Sequence, residues 1–151
     1  MALKLSYNIY IMDYNKGDYV VLLFLEEAVE ISCRCRNWTL ESGYYMYIGS
    51  AMSSLAERVK RHLIEEKRKY WHIDFLREKA EVVAALLLPT EKQREEELSN
   101  FVSQYGEAVP KFGASDCLTD SNLYRLELRN IERIFSSIVL KWRDKCDSFF
   151  D

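Results

Sequence analysis

Apolar and polar positions alternate along the first third of the chain, and the period then changes. Leu3, Leu5, Tyr7, Ile9 and Ile11 alternate with mostly polar neighbours, which predicts an N-terminal strand. Asn15-Lys16-Gly17-Asp18 is a turn signal. The unbroken apolar run Tyr19 to Leu25 fits a central strand buried on both faces. After a short Glu-rich turn, Val29, Ile31, Cys33 and Cys35 alternate with Glu30, Ser32, Arg34 and Arg36, the period of a half-buried strand. Asn37 to Gly43 reads as a loop. Tyr44 to Ile48 predicts another strand, with Tyr45 and Tyr47 on one face and Tyr44, Met46 and Ile48 on the other. Gly49 ends it.

Beyond Gly49 the spacing becomes helical. Ser54 with Glu57 three residues on reads as a capping box. The helix it opens is expected to run to about Lys67. Leu55, Val59 and Leu63 form its core stripe, and Arg58, His62 and Glu65 form a second stripe beside it. Tyr70 to Lys79 predicts a further helix or turn-helix. Val82 to Leu88 is a second buried-strand candidate, ended by Pro89. Thr90 can cap a helix running to about Tyr105, stopped by Gly106. From Asn122 to about Lys145 the apolar spacing Leu123, Leu126, Ile131, Ile134, Phe135, Ile138, Val139, Trp142 predicts a long amphipathic helix. Strands mixed with helices make this an α/β (α+β) chain without internal repeats or linkers.

Composition narrows the functions open to it. A chain of 151 residues, 48% hydrophobic, is most simply one domain with an ordinary core. With 21 basic and 24 acidic residues the net charge is −3, so nucleic-acid contact must come from a local patch. No apolar segment reaches membrane-spanning length and the N-terminus lacks a signal-peptide core, which leads to the expectation of a cytoplasmic protein with no membrane partner. Cys33 and Cys35 fit small hydrophobes of a strand better than half a metal site, because no second pair with ligand spacing exists.

The residues that carry chemistry are Gly17-Asp18-Tyr19, the run Gly43 to Ala51 with Tyr47-Ile48-Gly49 inside it, Arg58, Arg61-His62-Leu63, Trp71-His72-Ile73-Asp74 and Phe112 to Cys117. Arg58 offers a planar, permanently charged fork for a phosphate. His62 can take or donate a proton near neutral pH. His72 fits a structural role beside Trp71 and Asp74 as well as it fits a site. Of Glu95-Glu96-Glu97, Glu95 lies three before Leu98 and seven before Val102 and so faces the sheet. Glu96 shares the solvent side with Ser99, Asn100 and Ser103, and Glu97 is second choice. Lys60, Arg61, Lys67, Arg68 and Lys69 make a basic cluster suited to backbone phosphates.

At these motifs the chain resembles the GIY-YIG nuclease superfamily, and more closely a small, mostly archaeal branch catalogued as a domain of unknown function. Gly17-Asp18-Tyr19 stands for the first superfamily motif and Tyr47-Ile48-Gly49 matches the second. The match covers roughly Lys16 to Tyr124. Asp18 replaces a hydrophobic residue, Tyr70 replaces a histidine, and Thr119 and Asn122 stand where the branch has a cysteine and a histidine.

The resemblance implies a small central antiparallel or mixed sheet flanked by helices. It implies a nuclease domain over residues 1–124, with residues 125–151 as an added C-terminal helical extension packed on it. It implies a Mg²⁺-dependent (or Mn²⁺-dependent) endonuclease acting on DNA, branched or damaged DNA included, in repair or recombination. Tyr19, Tyr47 and His62 would then manage water and protons, Arg58 the phosphate and Glu95 the metal. Lys60, Arg61, Lys67, Arg68, Lys69 and His72 would contact DNA, and Ser115 and Asp116 would lie near the site. Two other readings stay open: a nucleic-acid-binding module with a degenerate site, and an interaction protein using its C-terminal helix.

Overall fold

The computed structural model describes residues 15–34, 36–64, 68–69, 71–113 and 121–144, with side chains to 141. The N-terminal strand expected over Leu3 to Ile11 lies outside them, as do Cys35, Lys67, Ser115, Asp116 and the Trp142 side chain. The fold is mixed α+β. A five-stranded antiparallel sheet has the order β5-β1-β4-β7-β6, with β1 Gly17–Leu25, β4 Gly43–Ala51, β5 Glu81–Pro89, β6 Glu107–Ala108 and β7 Leu123–Leu126. A separate hairpin joins β2 Val29–Cys33 to β3 Arg36–Leu40. The helices are α1 Leu55–Leu63, α2 His72–Lys79, α3 Glu95–Ser103 and α4 Leu128–Asp144. Among the described residues no helix is long and apolar enough to cross a membrane.

The sheet is covered on both faces, which is why Tyr19 to Leu25 reads as continuous apolar sequence. On one face Tyr19, Val21, Leu23, Tyr45 and Tyr47 pack with α1, α2, the hairpin and Phe112. On the other Val20, Leu22, Met46 and Ile48 pack with Leu98 and Val102 of α3 and with Ile131, Ile134 and Ile138 of α4.

Several local expectations are overturned by tertiary contacts. Asn37 to Gly43 is not a loop throughout: Arg36–Leu40 is β3, burying Trp38 and Leu40 against β2 partners. The expected helix start at Asn122 is instead β7, because Leu123 to Leu126 pair with Tyr47 to Tyr44. Val82 to Leu88 forms an edge strand, half-exposed along most of its length, rather than a buried one. Leu63 is exposed and His62 takes its place on the inner face of α1. The Ser54 side chain makes no cap bond. Asn15 does the capping instead: its carbonyl and side-chain oxygens accept from Leu55 N and Ala56 N at 3.1 and 3.0 Å, and its amide donates to Glu57. Thr90 only stabilises a turn, accepting from Lys92 N, and α3 begins at Glu95. Ser99 is fully buried rather than on the solvent side, bonded to Tyr124 Oη at 2.6 Å.

Candidate active site

Strand register builds the floor of the site. β1 and β4 pair so that Tyr19 lies opposite Gly49 and Asp18 opposite Ser50. Side chains alternate, so Tyr19 and Tyr47 point to the α1 face while Asp18 and Ser50 point to the α3 face. Gly49 is required by close approach: a Cβ there would run into the ring and hydroxyl of Tyr19. The phenol of Tyr19 thus crosses its strand partner and meets His62, with Oη and Nε2 at 2.8 Å. Tyr47 completes an aromatic cluster, its ring centroid 6.4 Å from Tyr19 and 5.8 Å from His62.

Tyr19 and His62 are each only 1% exposed, and Tyr47 is 8% exposed. Burial raises the pKa of both phenols; at Tyr19 the neighbouring Arg58 charge and hydrogen bond only partly oppose it, and at Tyr47 the Tyr19 and Glu95 groups add to it. Both phenols therefore remain protonated at neutral pH.

Arg58 and Glu95 meet the rim from opposite faces of the sheet. Arg58 Nη1 donates to the Ser50 carbonyl at 3.3 Å, and the Ser50 hydroxyl reaches Glu95 Oε2 at 3.5 Å. Both side chains are half-buried. Gln93 donates to the Ser50 hydroxyl at 2.8 Å and to Glu95 Oε2 at 3.2 Å, while Asn122 Nδ2 donates to Glu95 Oε1 at 3.2 Å. Burial, the largest influence, raises the Glu95 pKa against these neutral donors. Glu96 and Glu97 are exposed.

Asp18, the departure from the first motif, has a structural use. Its buried carboxylate accepts from Arg94 N at 3.2 and 3.1 Å, fixing the residue from which α3 starts and hence the position of Glu95. Desolvation, partly offset by that backbone bond, pushes its pKa up to about 7.

The predicted DNA contacts divide. Lys60, Arg68 and Lys69 are exposed, and Lys69 pairs with Glu78 at 2.7 Å. Arg61 forms a fork to the fully buried Asp74, Nη1 to Oδ1 at 2.7 Å and Nη2 to Oδ2 at 2.8 Å, so Asp74 bridges to the basic helix rather than orienting His72. His72 Nδ1 accepts from Gly113 N at 2.8 Å, and its ring lies tilted against Trp38 with centroids 4.8 Å apart. Its pKa is lowered, first by burial and then by Arg36 and Arg34. A backbone bond at Nδ1 makes His72 part of the loop's support.

Sequence reasoning missed Ser50, Gln93 and Asn122 as the ring of donors around Glu95. Only Ser50 lies inside one of the motifs; Asn122 stands out only as a departure from the branch, and Gln93 has no local signal. It also missed Arg77, which is buried and donates to the carbonyls of His62, Leu63 and Ala80 at 3.0, 3.1 and 2.9 Å, closing the C-terminus of α1.

Among the described residues no group of three His, Cys, Asp or Glu side chains could hold a metal ion. Mg²⁺ keeps most of its water ligands and can be held through one carboxylate; at Glu95 both carboxylate oxygens accept from the amides of Gln93 and Asn122.

No curated protein and no solved structure matches the chain. One family does, over residues 18–143, a span taking in β7 and nearly all of α4. By that match the chain belongs to the family described as domain of unknown function DUF123.

Proposed function

We propose that this chain is a divalent-metal-dependent endonuclease of the GIY-YIG type, hydrolysing phosphodiester bonds in DNA. The observation that carries the proposal is the bridge at Ser50, which joins a guanidinium and a carboxylate at one rim, above the Tyr47, Tyr19 and His62 cluster. Phosphodiester hydrolysis needs positive charge on the phosphoryl oxygens, an oriented water and a proton acceptor. Arg58 supplies a permanent charge for a non-bridging oxygen. Glu95 would hold Mg²⁺ or Mn²⁺, which adds Lewis-acid charge at the phosphate when bound. Tyr47 donates to the attacking water. The proton that water loses passes to Tyr19 Oη as the Tyr19 hydroxyl proton moves to His62 Nε2, and the P–O bond to the 3′ or 5′ oxygen breaks as the new P–O bond forms, the leaving oxygen taking a proton from solvent. Lys60, Arg68 and Lys69 attract the flanking backbone.

Cleavage of supercoiled and branched DNA in Mg²⁺ or Mn²⁺ tests this. Nicking is expected from the natural chain and not from Glu95→Ala or Arg58→Ala. Normal cutting by either variant refutes the assigned roles. The near-complete burial of Tyr19 and His62 favours a second reading, a DNA-binding module without catalysis. That reading expects salt-dependent DNA binding with no cleavage in either cation.

A further inference from the structure

The loop before α2 carries Trp71, an indole 39% exposed beside the rim. Two guanidiniums lie over its ring, with Cζ 4.5 Å from the centroid for Arg58 and 4.4 Å for Arg61. Both distances fall inside the range where the ring quadrupole attracts a cation. The two arginines differ in their other partners. Arg61 is neutralised by the buried Asp74, whereas among the described residues no carboxylate forms an ion pair with Arg58. Asp74 also accepts from Trp71 N at 3.0 Å, so one carboxylate fixes both the indole's backbone and the second guanidinium. The Ser50 carbonyl accepts from one Arg58 nitrogen. Arg58 is thereby held in place without its charge being cancelled.

We propose that Trp71, anchored by the Arg61–Asp74 pair, is a positioning residue that holds the Arg58 guanidinium at the rim for an anionic phosphate. The choice of DNA as the phosphate's bearer rests on the nuclease reading; the positioning does not. An aromatic face is suited to this work. It restrains the planar fork by stacking and leaves the N–H edge open to a phosphate oxygen, which a carboxylate in the same place would occupy. Asp74 serves Arg58 indirectly, through Arg61 and the Trp71 backbone.

The test uses the full chain with Trp71→Phe, Trp71→Leu, Arg58→Ala and the Trp71→Leu/Arg58→Ala pair, each checked for an unchanged circular-dichroism spectrum. The first readout is the NMR signal of the Arg58 Nε–H group, assigned by its loss in Arg58→Ala. It is expected sharp and slowly rotating in the natural chain and in Trp71→Phe, and averaged in Trp71→Leu. The second is binding of a short fluorescent DNA duplex by anisotropy in Ca²⁺. Trp71→Leu is expected to weaken binding roughly tenfold, as Arg58→Ala does, with no further loss in the pair. Trp71→Phe is expected to retain most of the affinity. An Arg58 signal unaltered by Trp71→Leu overturns the proposal, and so do additive losses in the pair. If Trp71→Leu frees Arg58 while the natural chain neither binds nor cleaves DNA, the positioning stands and the nuclease reading falls.

Discussion

Replacing Gly49 by alanine puts the register of the site under direct test. The added Cβ would collide with the ring and hydroxyl of Tyr19, its strand partner, so one of the two must move. Tyr19 is 1% exposed and is enclosed by Tyr47 and His62, which leaves its ring no solvent to swing into. Overpacking of this kind costs about 1–3 kcal/mol. If the phenol shifts, the 2.8 Å contact with His62 Nε2 is lost as well, and a buried polar group left without its partner costs ~1–3 kcal/mol more. The expected destabilisation is then about 2–6 kcal/mol, or roughly 4–24 °C in Tm for a chain of this size. Urea unfolding monitored by fluorescence measures it, in a cycle with Tyr19→Leu. Leucine lacks the atoms that the new Cβ would strike, so Gly49→Ala should cost less than ~1 kcal/mol on that background. A Gly49→Ala protein as stable as the natural one, or an equal cost on both backgrounds, would show that Tyr19 does not cross Gly49.

The folded-state pKa of Asp18, about 7, lies above its ordinary 3.8, so the stability tied to its protonated form is full below 3.8 and is lost as pH rises through 7. Asp18→Asn stays neutral, and should gain ~2–4 kcal/mol relative to the natural chain between roughly pH 4 and pH 8 in urea titrations; a difference independent of pH would count against this. Arg77→Ala leaves three carbonyls at the ends of α1 and α2 without their donor, and should cost about 2–4 kcal/mol. Arg77→Lys should recover only part of that in the same unfolding assay, because an ammonium cannot reproduce the fork. Asn122→Ala removes the donor to Glu95 Oε1, and should weaken Mn²⁺ binding by roughly tenfold, followed by calorimetry, if Glu95 holds the cation.

What the sequence disclosed, and what it hid, separate along physical lines. β1 and β4 were legible because burial on both faces leaves a continuous apolar run, and Glu95 because helical spacing from Leu98 and Val102 fixes its side. β3 carried a period of its own, Arg36, Trp38 and Leu40 against Asn37 and Thr39, but its polar members resembled a loop. β7 reads as part of the following helix because Leu123 and Leu126 are three apart, a spacing that serves either element until β4 supplies a partner. Caps were the least legible. Asn15 caps α1 across forty-one residues, and Asp18 binds the start of α3 across seventy-six, so neighbouring sequence names the wrong residues, Ser54 and Thr90. The donors around Glu95 were hidden for the same reason.

The dependence of the rim on two paired strands has a consequence for how the motifs are spaced. Asp18 and Tyr19 are adjacent, yet one secures the helix that carries Glu95 and the other meets His62 across the sheet. Gly49 and Ser50 divide in the same way, the first admitting the Tyr19 ring and the second joining Arg58 to Glu95. Each function therefore needs one parity along the strand. Sliding β1 by one residue against β4 would carry Tyr19 opposite Ser50 and remove the gap its ring occupies. Inserting one residue into β1 ahead of Val20 would send the phenol and the carboxylate to exchanged faces. The short motifs in these two strands are thus constraints on register as much as on chemistry: Val20 to Leu23 are buried and apolar on both faces and do not by themselves oppose a one-residue slip, whereas the fit of the Tyr19 ring over Gly49 does.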